Sequence, residues 1–208
     1  VENLQDLIAT VRKHKADVGI GYDGDADRIG AIDERGEILW GDRLMIVYAR
    51  DILSQRPGTT FISEVKASQC LYDDIAAKGG RPIMWKTGHS LMKAKLKAES
   101  AVLAGEMSGH MFFADRYFGF DDAIYASCRC VEFLAKAKQS LSSLVADLPQ
   151  TTVTPEIRVD CPDSVKFQLV EQVHRQLASY FEAGQPVGAS TLRMRELVTI
   201  DGVRAIFE

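Results

Sequence analysis

No apolar run in this chain approaches the roughly 18 residues that a membrane-spanning helix needs, and no signal-peptide pattern opens it. Basic charge is also scarce. With 25 Lys and Arg against 29 Asp and Glu, the formal net charge is -4, which argues against a nucleic-acid surface. The one local cluster of lysines, Lys93, Lys95 and Lys97, lies among helix-forming residues and reads as a solvated face. No C-x-x-C pair occurs among the four cysteines, and Cys128 and Cys130, two apart in a helical pattern, point in different directions. That excludes a thiolate metal site there and suits reduced thiols in a cytoplasmic protein. Repeats and low-complexity tracts are missing too. What is left is ordinary globular material, 46% hydrophobic over 208 residues, enough for one or two cores.

The chain alternates strand and helix signals. Leu4, Leu7, Ile8 and Val11 recur at helical spacing, and a strand follows over 17–22. Residues 29–33 and 37–40 flank a turn at 34–36 and predict a hairpin. A helix from 41–42 to about Leu53 takes Asp42 as its expected N-cap. Strands at 60–63, 82–85, 101–104 and 111–113 are interleaved with helices at 68–78 and 90–98. A long helix over 121–138 carries an apolar stripe of Ile124, Cys128, Val131 and Leu134. Strands separated by short helices predict βαβ crossovers, so the fold class is α/β with a mixed, largely parallel sheet flanked by helices. Residues 42–148 read as one unit. Pro149 and Pro155 bracket a change of character, with a strand at 156–160, a helix at 163–182 and β segments near 197–200 and 203–207 beyond.

Directly after the strand 17–22 stands Asp23-Gly-Asp25-Ala-Asp27-Arg28. Three carboxylates at alternate positions on a short loop can turn their oxygens to one point, because Gly24 and Ala26 let the backbone curl. So much negative charge in one place calls for a cation, and hard oxygen ligands suit Mg²⁺. Arg28 adds a planar fork matched to a phosphoryl group. A plain solvated turn is the competing reading. An EF-hand is excluded, since its sixth slot would hold Arg28 where the turn needs glycine, and strands flank the loop.

Two further loops follow parallel strands, where ligand sites of such sheets gather. In 105–110, Glu106, Ser108 and His110 alternate across a glycine-flanked turn and can present an acceptor, a hydroxyl and an imidazole to one side, a set suited to sugar hydroxyls. The alternative is a hydrophilic turn. Lys86-Thr-Gly-His89-Ser90 precedes a helix, where His89 is either a structural histidine or a phosphate contact at a helix N-terminus. Lys66, after the strand 60–63, is either a surface ammonium or an acid/base. Three consecutive strands ending in such loops at one sheet edge favour the functional readings.

Taken together, DGDADR (23–28), EVK (64–66), GGRPIMWKTGHS (79–90), GEMSGH (105–110) and FGFDDAIYA (118–126) resemble the α-D-phosphohexomutase family, in particular its phosphomannomutase/phosphoglucomutase branch. The resemblance implies an isomerase that interconverts hexose 1-phosphates and 6-phosphates through a phosphoserine and a 1,6-bisphosphate, with mannose or glucose as the sugar. It implies Mg²⁺ on Asp23, Asp25 and Asp27, with the phosphoserine as a further ligand, and Arg28 steadying the phosphoryl group. Glu106 and Ser108 would bind sugar hydroxyls, while Lys66, His89 and His110 would contact substrate or carry protons, Lys66 being the first choice as acid/base. No membrane or nucleic-acid partner is implied.

The chain departs from that family in length. Residues 1–40 correspond to the end of the second domain with the metal loop, 41–153 to the third domain with the sugar loop, and 154–208 to the start of the fourth. Neither the family's serine loop nor the fourth domain's phosphate loop occurs in the sequence. A fragment without turnover of its own, completed by the remaining domains, is therefore expected. Two other functions fit less of the chain. One is a Mg²⁺-dependent dehalogenase-type phosphatase using its first aspartate as nucleophile. The other is a non-catalytic module that binds sugar phosphate.

Overall fold

The computed structural model describes residues 2–149, 157, 159–187 and 192–207. The chain forms two compact units, Val1–Pro149 and Gln150–Glu208. In the first, helix α1 (Gln5–His14) precedes a small antiparallel sheet of β1 (Val18–Tyr22), β2 (Ile29–Asp33) and β3 (Ile38–Leu39), in the order β1-β2-β3. The register runs from Val18 opposite Asp33 to Tyr22 opposite Ile29, so the acidic residues 23–28 are the connection of a β-hairpin. At the other end of β2, the Asp33 carboxylate accepts from the N–H groups of Arg35 (3.0 Å) and Glu37 (2.8 Å), which shapes the next turn.

Helix α2 (Gly41–Gln55) opens the α/β part and is buried along most of its length, including Leu44, Ile46, Val47 and Ile52. It leads to a four-stranded sheet of β4 (Thr60–Glu64), β5 (Arg81–Trp85), β6 (Leu103–Gly105) and β7 (Met111–Phe113), in the order β5-β4-β6-β7. β4 runs parallel to both β5 and β6, and β7 is antiparallel to β6. The sheet is mixed and largely parallel, as its βαβ pattern predicts. Helices α3 (Gln69–Ala77), α4 (His89–Ala98) and α5 (Ala123–Ala137) complete the unit.

Side chains alternate across the central strand β4. Phe61 belongs to the larger core with Leu44, Leu71, Leu103 and Phe113, whereas Ile62 belongs to a smaller one with Met92, Leu96, Ala104 and Phe112. Because β4, β5 and β6 are parallel, the loops that follow all three leave the same end of the sheet.

Two local expectations are corrected. α2 begins at Gly41, and the capping position is held by Trp40, two residues before the expected Asp42. Asp42 lies inside the first turn, where its carboxylate accepts from Arg43 N–H (2.8 Å) and Ser68 N–H (3.1 Å) and thereby ties the helix to the loop after β4. The second correction concerns α5, of whose expected apolar stripe only Leu134 packs, half-buried, against the core. Ile124 and Val131 are more than half exposed, and Cys128 is exposed. Ala123, Ala126, Ser127, Arg129 and Cys130 face inward. Small residues let the helix approach closely, and Arg129 is buried because Asp115 accepts from its guanidinium at 3.0 Å, with Asp51 3.7 Å away.

The second unit contains α6 (Lys166–Glu182) and an antiparallel pair, β8 (Met194–Val198) and β9 (Arg204–Phe207). The first of these strands starts three residues before the expected 197–200. Of the strand expected over 156–160, residues 156 and 158 lie outside the described residues, and 157, 159 and 160 carry no regular structure. No helix among the described residues is long and apolar enough to cross a membrane.

Candidate active site

The acidic loop is closed from within. Ala26 adopts a left-handed conformation (φ 59°), and its N–H donates to Asp23 O at 3.3 Å. Arg28 N–H donates to Asp23 Oδ1 at 3.2 Å. This curl brings one carboxylate oxygen from each of Asp23, Asp25 and Asp27 within 4.8 Å of the others. Asp27 Oδ1 is buried and has no hydrogen-bond partner. A lone acceptor beside two further carboxylates fits a hard divalent ion, because a cation removes both the mutual repulsion and the unsatisfied acceptor. Arg28 leans back over the acids, with its Nε 3.4 Å from Asp23 Oδ2 and 3.8 Å from Asp27 Oδ1.

The 105–110 turn is sewn directly onto this loop. Ile29 N–H donates to Gly109 O at 3.1 Å, and Arg28 and His110 pair as an antiparallel bridge. The side chains continue the seam. His110 Nδ1 lies 2.7 Å from Glu106 Oε2, and its Nε2 lies 3.2 Å from Asp27 Oδ2 and accepts from Arg28 Nε at 3.2 Å. Burial opposes ionisation of Glu106, yet donation from His110 and from Gly88 N–H holds its carboxyl below the usual range. The Glu106 hydrogen bond in turn raises the His110 pKa against the effect of burial. Ser108 Oγ sits 2.9 Å from His110 Nδ1 and 3.4 Å from Glu106 Oε2. Gly41, at the start of α2, lies so close to this turn that a Cβ there would meet Glu106 O at 2.4 Å.

The remaining loops reach the same place. Glu106 Oε1 accepts from Gly88 N–H at 2.7 Å, which couples the 105–110 turn to the start of α4. His89 is largely exposed and stands 3.8 Å (Nδ1) from Asp121 Oδ2. Asp121 also accepts from Lys93 Nζ at 3.1 Å and forms, with Asp27 and His110, a second group of ligand atoms within 4.8 Å. The three loop aspartates, Arg28, Glu106, Ser108 and His110 therefore form one contact network, and His89 joins it through Asp121. Lys66 is more peripheral: its Nζ is 3.5 Å from Glu64 Oε2, and Glu64 in turn accepts from Met107 N–H in the 105–110 turn.

Comparison with known proteins agrees with this geometry. The profile described as "Phosphoglucomutase/phosphomannomutase, alpha/beta/alpha domain III" matches residues 40–152, and that of domain II matches residues 1–36. The chain belongs to the phosphoglucomutase/phosphomannomutase family. It is 45% identical over 203 residues to the phosphomannomutase/phosphoglucomutase of Pseudomonas putida, covering 98% of this chain and 41% of that protein. A crystal structure of a phosphoglucomutase/phosphomannomutase family protein from Burkholderia thailandensis superposes with a TM-score of 0.83 at 42% identity, over 98% of this chain and 40% of that one. An Aspergillus fumigatus N-acetylphosphoglucosamine mutase, solved in complex with GlcNAc-6P and magnesium, shares the fold with a TM-score of 0.56 at 17% identity, over 89% of this chain and 44% of that one. The chain thus spans about two fifths of the length of these relatives. Membership in this family sets aside the dehalogenase-type phosphatase.

Three residues of the network carry no role in the sequence reading: Glu64, Thr87 and Asp121. Two of them had a signal. Glu64 is a carboxylate ending a strand that is otherwise apolar or small, and such a residue must be partnered. Asp121 is the first of an Asp pair before a helix, and Asp122 alone suffices as the cap, accepting from Tyr125 N–H at 2.8 Å.

Proposed function

We propose that the protein containing this chain is a phosphomannomutase/phosphoglucomutase, interconverting hexose 1-phosphates and 6-phosphates of glucose or mannose through a phosphoserine and a 1,6-bisphosphate. In the same reading, residues 1–40 are the end of the family's second domain, 41–153 the third and 154–208 the start of the fourth. The serine nucleophile comes from the remaining domains, and the 208 residues alone do not turn over. The observation that carries the proposal is the His110 bridge between Glu106 of the 105–110 turn and Asp27 of the acidic loop.

Asp23, Asp25 and Asp27 would hold Mg²⁺, which supplies charge neutralisation for a transferring phosphoryl group. Arg28, freed from the acids once they are engaged, turns its fork toward the phosphoryl oxygens. Glu106 offers about four lone-pair sites, of which Gly88, His110 and Ser108 take three. One site is left for a sugar hydroxyl, and a second opens when Ser108 turns toward the ligand. That arrangement can accept neighbouring hydroxyls of a hexose in either orientation. Lys66 is the acid/base of this reading, and His89 and His110 contact the substrate. Four free cysteines support a cytoplasmic location.

The test is a coupled assay with glucose 1-phosphate and mannose 1-phosphate, run on the 208-residue chain and on the same chain extended through its reading frame in both directions. Turnover by the extended protein alone is expected. Robust turnover by the 208 residues would overturn the division of labour. No turnover by either would leave a non-catalytic sugar-phosphate module.

A further inference from the structure

Glu64 is completely buried at the end of β4, where a carboxylate is costly unless each oxygen is engaged. Its two oxygens serve two different neighbouring loops. Oε1 accepts from Met107 N–H at 2.7 Å, inside the 105–110 turn, and Oε2 accepts from the Thr87 hydroxyl at 2.7 Å, in the loop before α4. Lys66 Nζ stands 3.5 Å from the same Oε2. The Glu64 carbonyl accepts from Tyr72 O–H at 2.7 Å, which anchors the residue from α3. One side chain thus laces together the three strand-end loops that carry Lys66, His89 and Glu106.

We infer that Glu64 is a positioning residue for the hexose-phosphate reaction, fixing the Lys66 ammonium relative to the Glu106 turn; this rests on the function proposed above. Two features separate that role from simple structural support. Stability requires only that Met107 N–H and the Thr87 hydroxyl find partners, which a neutral amide of the same shape provides. The negative charge is what pairs Glu64 with the Lys66 ammonium. That side chain is more than half exposed, so without a counter-charge nothing holds its ammonium in one place. With Glu64 ionised, one face of the ammonium is held and its other N–H donors are presented outward.

The test uses the extended, turnover-competent protein and the variant Glu64→Gln. The amide keeps the shape, its oxygen still accepts from Met107, and its NH₂ can donate to Thr87. The expected result is an unchanged melting temperature, KM within a few-fold, and kcat lowered roughly 10- to 100-fold. Unchanged kcat in a folded Glu64→Gln protein overturns the inference. If that variant does not fold, the wild-type extended protein carries the test through 15N relaxation of the lysine ammonium groups. A Lys66 ammonium clearly more restricted than that of exposed Lys97 supports the role, and equal mobility of the two refutes it. A wild-type extended protein that is inactive removes the proposed function itself, and this role with it. An active wild type whose Glu64→Gln variant is equally active removes only the role of Glu64.

Discussion

The contact between the acidic loop and the 105–110 turn passes through Gly109, which makes Gly109→Ala an informative perturbation. Gly109 has φ 98°, and a Cβ there would lie 2.4 Å from Ile29 O and 3.1 Å from Ile29 N. Two costs add. An L-residue in left-handed backbone costs about 1–2 kcal/mol. The steric overlap is with backbone and cannot be relieved by rotating a side chain, so the loops must separate and lose the Ile29–Gly109 hydrogen bond, worth about 1 kcal/mol net. The expected destabilisation is therefore about 2–3 kcal/mol. Two other glycines calibrate it. Gly58 also has positive φ (78°) but open space around it, so Gly58→Ala should show the backbone term alone, about 1–2 kcal/mol. Gly24 has open space and no positive φ, so its alanine variant should stay within about 0.5 kcal/mol of wild type. Urea unfolding followed by tryptophan fluorescence is the suitable assay, because both tryptophans, Trp40 and Trp85, lie in the first unit. With a slope of about 1–3 kcal/mol per molar urea, a loss of about 3 kcal/mol moves the midpoint by at least about 1 M. If Gly109→Ala costs no more than Gly58→Ala, the two loops do not approach each other as described.

Further outcomes follow from the same site and its surroundings. Ala26→Gly relieves the left-handed strain at φ 59° and should stabilise the chain by up to about 1 kcal/mol, the gain being reduced by the extra freedom of glycine when unfolded; a clear loss of stability in the same urea assay would show that the loop does not curl this way. Iodoacetamide at pH 8 should label exposed Cys128 and spare Cys130, whose thiol burial pushes up to about 11, leaving on the order of one part in a thousand as thiolate; mass spectrometry showing equal labelling of the two would contradict the inward face of α5. Glu34 accepts from the Ser142 hydroxyl, and although burial opposes it, this donation keeps the carboxyl below its usual range. Its contribution is therefore complete above the unfolded value of 4.5 and is lost as pH falls below it, so Glu34→Gln should reduce stability at pH 6 and make much less difference near pH 3. An equal effect of the variant at both pH values would rule out that ionised contact.

Much of this site was legible because its chemistry is local in sequence. The three aspartates of 23–28 lie on one hairpin connection, and Glu106, Ser108 and His110 lie on one turn, so their residue types and spacing already define what each loop can hold. The parallel sheet was equally readable, since strands spaced by short helices leave few topologies. The long-range register was not. That Arg28 pairs with His110 depends on how the small antiparallel sheet docks against the larger one, and that Glu64 reaches Met107 43 positions later depends on β4 and β6 being neighbours in the larger sheet. The orientation of α5 was hidden for a different reason. Its helical period allows two faces, and the one chosen buries Arg129 because Asp115, contributed by a loop before the helix, neutralises it. Asp42 was misassigned as a cap because a competing donor, Ser68 N–H, lies 26 residues away.

The most direct measurement is paramagnetic broadening of backbone amides on titration with Mn²⁺, a hard, octahedral stand-in for Mg²⁺. If the three aspartates gather around one ion beside the 105–110 turn, the resonances of residues 23–28 and 106–110 broaden together at low Mn²⁺, Mg²⁺ reverses the effect, and Asp25→Asn weakens it for both segments. Broadening of the acidic loop with no effect on residues 106–110, or none at either, would contradict a single shared site.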